Sequence, residues 1–181
     1  MANEVGVKTC RFDVCGRCRI TCCRYAKPPL TKRRQKIIKA YLKLHALPTA
    51  KIFVYAQYSF PSTDADGFCV LYDKKTGKCL VHEVKPETCR AGPVTFDVNR
   101  RTGKIEWHLK KAEICMLAEE LYKNNDQFKQ HFEIATAELM RLIQGLDPRA
   151  LTAILKIEEP QTFKIGEIDA SAEVLRKING D

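Results

Sequence analysis

The sequence CGRCRITCC at residues 15–23 places four cysteines in one short stretch, and this density decides how the segment folds. Cysteines three or four residues apart can converge on one soft metal ion or cluster, because a thiolate ligand needs only about 2.3 Å to zinc. The adjacent Cys22 and Cys23 diverge on any regular element. We therefore expect this pair to serve two metals, to bridge two, or to include one cysteine that is not a ligand.

Five further cysteines lie outside this stretch: Cys10, Cys69, Cys79, Cys89 and Cys115. So many thiols in a chain without a recognisable secretion signal predict metal ligation or redox chemistry rather than a disulfide scaffold. For any single cysteine the alternative is a small buried hydrophobe. His82, three residues after Cys79, is either part of a mixed Cys/His site or, as we favour, a solvent-facing or hydrogen-bonded strand histidine.

Composition indicates a folded chain of about one domain. The 181 residues are 45% hydrophobic and 29% charged, which excludes a largely disordered chain. No apolar run approaches the roughly 18–20 residues that span a bilayer. The opening MANEVGVKTCRF lacks the pattern of a secretion signal, so we expect a cytoplasmic protein.

The segment after the first cysteine group has alternating patterns of helix and strand. Thr31 is a predicted N-cap, and Ile37, Ile38, Tyr41, Leu42 and His45 form one face of the following helix, which stops before Pro48. Residues 51–60 predict a strand. Residues 68–82 and 94–108 predict two β-hairpins, the first bringing Cys69 and Cys79 to comparable places on neighbouring strands.

Beyond residue 110 the pattern becomes helical. Two apolar stripes predict successive helices, formed by Ile114, Leu117, Ala118 and Leu121 and then by Phe128, Phe132, Ala135, Leu139 and Leu142. Asp147 and Pro148 are an N-cap and N1 pair that opens a short helix to about Glu158, and a last helix spans about Ser171 to Lys177. We predict an α+β fold, with a cysteine-rich, metal-organised domain at 1–117 and a helical extension at 118–181, packed on it or used for docking.

The net positive charge of the chain comes from its N-terminal part. Residues 1–51 hold 13 Lys and Arg against Glu4 and Asp13, a net charge of +11, whereas the remainder carries −2. This segment is either a solvated basic face or a surface for nucleic acid or an acidic protein. Some of the excess cations also balance thiolate charge.

The ordered cysteines resemble the YkgJ-type cysteine-cluster family, whose members are described as zinc- or iron-chelating domains. The similarity covers about residues 10–117 and rests on the group at 15–23, on Cys79-Leu80-Val81-His82 and on Lys85-Pro86-Glu87-Thr88-Cys89-Arg90. Cys10 has no clear counterpart. The resemblance implies metal ligands among Cys15, Cys18, Cys22, Cys23, Cys69, Cys79, Cys89 and Cys115, holding zinc or an iron-sulfur cluster.

Three functions remain open at this stage. The first is a thiolate metal protein with a structural or redox role. The second is a redox- or oxygen-responsive regulatory subunit that docks onto a larger, acidic assembly. The third is a zinc-stabilised nucleic-acid binder. This function is less well supported, because aromatic residues are not interleaved with the basic run. No phosphate loop, ferredoxin run or His-Glu-x-x-His motif is present in the sequence, so enzymatic activity is not predicted.

Overall fold

A computed structural model describes Val14, residues 22–159 and residues 161–179 of the chain. The helices in these residues are α1 (Lys32–Leu44), α2 (Glu87–Ala91), α3 (Met116–Tyr122), α4 (Asn125–Gly145), α5 (Pro148–Ile154) and α6 (Ala172–Asn179), with a 3₁₀ turn at His82–Val84. The strands are β1 (Phe53–Tyr55), β2 (Ser59–Pro61), β3 (Tyr72–Asp73), β4 (Lys78–Cys79), β5 (Val94–Asn99), β6 (Lys104–Lys110) and β7 (Thr162–Asp169). The α+β class is thus confirmed.

The strands form three small antiparallel sheets. β1 pairs with β2, and β3 pairs with β4. The third sheet has the order β5-β6-β7, and its β5–β6 hairpin pairs Val94 with Leu109 and Asn99 with Lys104, as the sequence predicts for residues 94–108. β7 was not predicted, and it brings the last part of the chain back to β6. The division of the chain at residue 117 stays a prediction.

Helix α1 begins at the predicted cap, because the Thr31 side chain accepts a hydrogen bond from the backbone N–H of Arg34 at 3.1 Å. Ile38 and Leu42 are buried, as the apolar stripe predicts. Ile37 and His45 are exposed instead, so the predicted apolar face is too wide. The buried face includes Arg34, which lies one helical turn before Ile38.

The main core lies between α4 and the three-stranded sheet. Ala135, Leu139 and Leu142 of α4 are buried, which confirms the predicted stripe. They pack in one cluster with side chains from β5, β6, α5 and α6, among them Val98, Ile105, Trp107, Leu109, Leu151, Val174 and Ile178. A second cluster under α1 contains Leu30, Ile38, Leu42, Ile52, Leu71 and Val81.

Two predicted boundaries are wrong. The single strand at 51–60 is a hairpin, because the chain turns after Tyr55 and β2 begins at Ser59. The helix that opens at Asp147 and Pro148 ends at Ile154 rather than near Glu158. Across the part of the chain that the structure describes, no helix has the length and apolar character needed to cross a bilayer.

Candidate metal centre

The segment that carries Cys22 and Cys23 is fastened to the segment around Cys69. The backbone N–H of Cys69 donates to the carbonyl of Cys23 at 2.9 Å, and the N–H of Tyr25 donates to the carbonyl of Gly67 at 2.7 Å. Arg24 and Phe68 form an antiparallel bridge between these two bonds. The two segments therefore run side by side, which places the vicinal cysteines next to Cys69.

Gly67 makes this close approach possible. Its φ of +83° is a conformation that L side chains rarely adopt. A Cβ atom at this position would lie 2.2 Å from the ring of Tyr25. The turn between Thr63 and Cys69 thus depends on a residue without a side chain.

Cys79 lies on β4, opposite Tyr72 of β3. The prediction that the hairpin brings Cys69 and Cys79 to comparable places on neighbouring strands is wrong, because Cys69 precedes β3 and bridges to Thr63 instead. Both cysteines are partly buried and pack against the cluster under α1. The hairpin is shorter than the sequence predicts because Cys69 forms its ladder bonds with the neighbouring segments.

Cys89 lies on α2, a helix of five residues that is too short to be stable by itself. Buried polar contacts hold it on both sides. The Thr31 hydroxyl donates to Glu87 at 2.7 Å, and His131 Nε2 lies 3.0 Å from the carbonyl oxygen of Ala91. Helix α2 is therefore fixed between α1 and α4.

A second buried contact reaches α2 from the long helix. Glu138 on α4 pairs with Arg34 of α1, and its Oε1 lies 3.0 Å from Nε of Arg90 on α2. Arg90 also donates to the backbone carbonyl of Glu83 at 2.7 Å. The residue after Cys89 is thus held by a carboxylate from a distant part of the chain.

Five thiols are close enough to influence one another's ionisation. A hydrogen bond from Cys23 is the main reason that the pKa of Cys22 falls to about 6, and the same bond, with burial, raises the pKa of Cys23. Burial raises the pKa of Cys69 to about 11 and also raises the pKa of Cys79 and of Cys89. Charge on a neighbouring cysteine adds to each increase, so the thiols form one electrostatic group.

Groups around the thiols favour their ionised form. The backbone N–H of Leu71 bonds to the thiol of Cys69, and that of Val81 bonds to the thiol of Cys79. Each bond spans two residues and lowers the pKa of its cysteine. Hydrogen bonds to sulfur of this kind stabilise a thiolate and orient it as a ligand.

Lys85 adds a positive charge at the same place. It is 7% exposed, and its ammonium lowers the pKa of Cys22, Cys79 and Cys89. Lysine is seldom so buried, because removing an ammonium from water is costly unless negative charge lies near. The sequence showed Lys85 only as part of the segment before Cys89, and its burial among thiols was not predicted.

Cys115 is the N-cap residue of α3 and is partly buried. It packs against a small cluster formed by Val14, Leu117 and Leu121. Val14 is 4% exposed, and it precedes Cys15 in the chain. The chain therefore passes the start of α3 directly before the first cysteine of the predicted group.

Electrostatic coupling links five of the eight predicted ligands: Cys22, Cys23, Cys69, Cys79 and Cys89. Cys15 and Cys18 lie outside the described residues, as does Cys10. None of the six described cysteines forms a disulfide. Among the described residues no three His, Cys, Asp or Glu side chains make a group that could hold a metal ion. The complete ligand set thus stays a prediction.

The histidines have separate roles. His82 lies in the 3₁₀ turn rather than on a strand, and burial lowers its pKa. His131 is buried, and its Nε2 lies 3.0 Å from the carbonyl oxygen of Ala91 on α2. His45 is exposed, and its ring lies 4.1 Å from that of Tyr41.

The donor set fits a soft metal. Thiols from three separate segments influence one another's pKa, and soft sulfur ligands select zinc or iron-sulfur clusters over hard cations. The donor chemistry is that of thiolate metal-binding domains.

The chain belongs to the CxxCxxCC family, described as "Putative zinc- or iron-chelating domain", whose sequence profile matches residues 14–132. This match confirms the resemblance to the YkgJ-type family and agrees with zinc or iron as the metal. A curated relative, Uncharacterized protein MJ0661 of Methanocaldococcus jannaschii, is 32% identical over 108 residues. That match covers 54% of this chain and 57% of the relative's length. No solved structure matches the chain.

Proposed function

We propose that the thiols of this chain hold zinc or an iron-sulfur cluster and that the centre fixes the N-terminal two thirds of the fold. The ligands would be drawn from Cys15, Cys18, Cys22, Cys23, Cys69, Cys79, Cys89 and Cys115. A bound zinc ion would supply a cross-link between segments, and a cluster would add the capacity to transfer an electron. The observation that carries this proposal is that the chain fastens the Cys22–Cys23 segment to Cys69, where the N–H of Cys69 donates to the carbonyl of Cys23 at 2.9 Å, in a family described as zinc- or iron-chelating.

A structural role follows from how little secondary structure surrounds the thiols. β3 and β4 have two residues each, and α2 has five. Elements of this size do not form without outside support. A metal that joins them contributes its binding free energy to folding, about 10–16 kcal/mol for structural zinc in small domains.

The first experiment measures metal and sulfide in protein purified without oxygen, together with its visible absorption. Iron with sulfide and a broad visible band assigns a cluster, whereas zinc with a featureless spectrum assigns a structural zinc site. Protein that folds with neither metal, and gains no stability when either is added, contradicts the proposal.

Single substitutions identify the ligands. We expect Cys79→Ser and Cys89→Ser to lose metal and to destabilise residues 22–115, whereas the last helices keep their structure. Cys10→Ser is the matched control, because Cys10 has no counterpart in the family resemblance, and it should retain metal. Full metal content and native thermal stability in Cys79→Ser and Cys89→Ser would show that these two are not ligands.

A second candidate function is a centre that responds to oxidants on behalf of a larger assembly. The observation in its favour is that Cys22 is exposed while its thiol is hydrogen-bonded to Cys23. Exposed thiols with thiolate character are the ones that oxidants reach first. Two thiols that join as a disulfide lose two electrons and two protons, and hydrogen peroxide takes these up to become two waters.

Peroxide titration of the metal-loaded protein tests this role. We expect metal release with disulfide formation involving Cys22, reversal by a thiol reductant, and slower release in Cys22→Ser than in wild type if that variant still binds metal. If Cys22→Ser does not bind metal, the test is the rate at which peroxide modifies each cysteine of the wild type, and Cys22 should react first. Oxidation that begins at Cys89 or only after unfolding contradicts a sensing role.

A further inference from the structure

The outer face of α1 carries a row of cations. Lys32, Lys36, Lys39 and Lys43 are all exposed and lie at positions i, i+4, i+7 and i+11. We call these four residues the lysine stripe. At 1.5 Å per residue the stripe extends about 16 Å along the helix axis. The sequence contains no Asp or Glu between residues 14 and 63, so no carboxylate close in the chain offsets it.

The lysine stripe is electrostatically unfavourable for the isolated helix. Lysines three or four residues apart repel one another, and Lys32 lies in the first turn, where the helix dipole disfavours a cation. No carboxylate of the described residues lies within ion-pair distance of the four ammonium groups. By contrast Arg34, on the opposite side of the same helix, is paired with Glu138. The repulsion is thus concentrated on the outer face.

An apolar strip lies beside the lysine stripe. Ile37 and Leu44 are 38% and 81% exposed, and their seven-residue spacing puts them on one line. We call this pair the apolar flank. An open groove of about 470 Å³ runs along the stripe, lined by its Lys36, Lys39 and Lys43 together with Ala40 and Thr49. The face therefore offers cations, aliphatic surface and a concave seat together.

We propose that the outer face of α1 docks an acidic amphipathic helix of a partner protein. Carboxylates spaced along such a helix would neutralise the lysine stripe, and its leucine-like side chains would cover the apolar flank, as in helix-in-groove recognition. A nucleic acid backbone would neutralise the same lysines. It would leave Ile37 and Leu44 against hydrated phosphates, which gives those side chains nothing to bury against. The apolar flank thus favours protein over nucleic acid.

The test uses the full-length, metal-loaded protein and a synthetic amphipathic peptide with glutamate on one face and leucine on the adjacent face. A peptide of the same composition in scrambled order, a DNA duplex and a single-stranded RNA are the comparison ligands. The variants are Lys36→Glu with Lys43→Glu, and Leu44→Ser. The matched control is Lys129→Glu with Lys156→Glu, which changes net charge equally at exposed lysines elsewhere.

We expect the amphipathic peptide to bind wild type and the control alike, and to bind the Lys36/Lys43 variant at least about tenfold more weakly. Leu44→Ser should also weaken the peptide and leave any nucleic acid binding unchanged. Metal content is measured for every variant, so loss of the metal centre is distinguished from loss of docking. Equal binding of the scrambled peptide, equal loss in both double variants, or tighter, steeply salt-dependent binding of DNA or RNA would overturn the proposal.

Discussion

Arg34 on α1 and Glu138 on α4 form a buried ion pair between residues 104 positions apart in the sequence. The Oε1 atom of Glu138 also lies 3.0 Å from Arg90 Nε and 3.0 Å from Arg141 Nη1. The Arg90 contact lacks hydrogen-bond alignment and is therefore chiefly electrostatic. One carboxylate thus joins α1, the helix that carries Cys89, and α4.

Replacing Glu138 by Ala should be strongly destabilising. The substitution leaves the buried Arg34 and the partly buried Arg90 without the carboxylate that they share, and breaking a buried pair from one side costs about 3–5 kcal/mol. Urea unfolding of the metal-loaded variant measures this change in the free energy of unfolding. Arg141→Ala is the control, because the Arg141 side chain is 55% exposed and its pair should contribute less than about 1 kcal/mol. Equal losses in the two variants would contradict a special role for Glu138.

Replacing Gly67 by Ala should separate the Cys22–Cys23 segment from Cys69. The new Cβ is strained by the positive φ, by about 1–2 kcal/mol, and it also meets the ring of Tyr25. We expect lower stability and weaker metal binding, measured by thermal unfolding and by competition with a chelator.

Two variants separate the sources of this effect. Gly77 has a φ of +70°, but a Cβ atom added there would lie 3.8 Å from its nearest neighbour, the hydroxyl oxygen of Tyr72. Gly77→Ala should therefore show the backbone strain alone. Combining Gly67→Ala with Tyr25→Ala removes the ring contact and should recover part of the loss. No recovery would show that the ring moves aside freely and that only the backbone matters.

Replacing Lys85 by Met should weaken metal binding while keeping the volume of the buried side chain. Without the ammonium, the pKa values of Cys22, Cys79 and Cys89 rise, so protons compete better with the metal. We expect the affinity to fall by about tenfold and the pH at which half the metal is lost to move upward. Lys78→Met, at an exposed lysine adjacent to Cys79 in sequence, should leave both quantities unchanged. If the two variants have the same metal affinity and lose metal at the same pH, Lys85 does not contribute to the metal centre.

Glu167 on β7 should titrate at unusually low pH. Hydrogen bonds from Lys104 and then Lys164 lower its pKa to about 2. Because the folded-state pKa lies below the unfolded value of about 4.3, its contribution to stability is complete above that value and is lost as the pH falls through about 2. A pH titration of the side-chain carboxyl by NMR measures this directly. In a variant with Lys104→Met and Lys164→Met, the pKa of Glu167 should return to the ordinary range of a glutamate. An ordinary pKa for Glu167 in wild type would contradict its hydrogen bonds to the two lysines.

The sequence predicted elements whose signals are local. Thr31 and Asp147 cap the helices that follow them, and the alternation at 94–108 gives the β5–β6 hairpin. β7 was missed because its alternation is interrupted. Gly166 pairs with Trp107 and Lys164 with His108, so Ile165 is an extra residue that shifts the side-chain pattern between the two halves of the strand.

The polar support of α2 depends on contacts that periodicity does not encode. Arg34 belongs to a run of basic residues at the start of α1, and their composition predicts only a basic face. Its spacing from Ile38 and Leu42, one and two helical turns later, was the available signal that it faces inward. Nothing local identifies Glu138 as its partner, because the pair closes a loop of 104 positions.

Sequence order also gives the Arg34–Glu138 pair a consequence during protein synthesis. A ribosome adds about 5–20 residues per second, so roughly 5–20 seconds separate the two residues as the chain is made. All nine cysteines precede Glu138 in the chain. Every thiol is therefore synthesised before the carboxylate that braces the helix of Cys89, so that helix gains this support only after all the cysteines have been made.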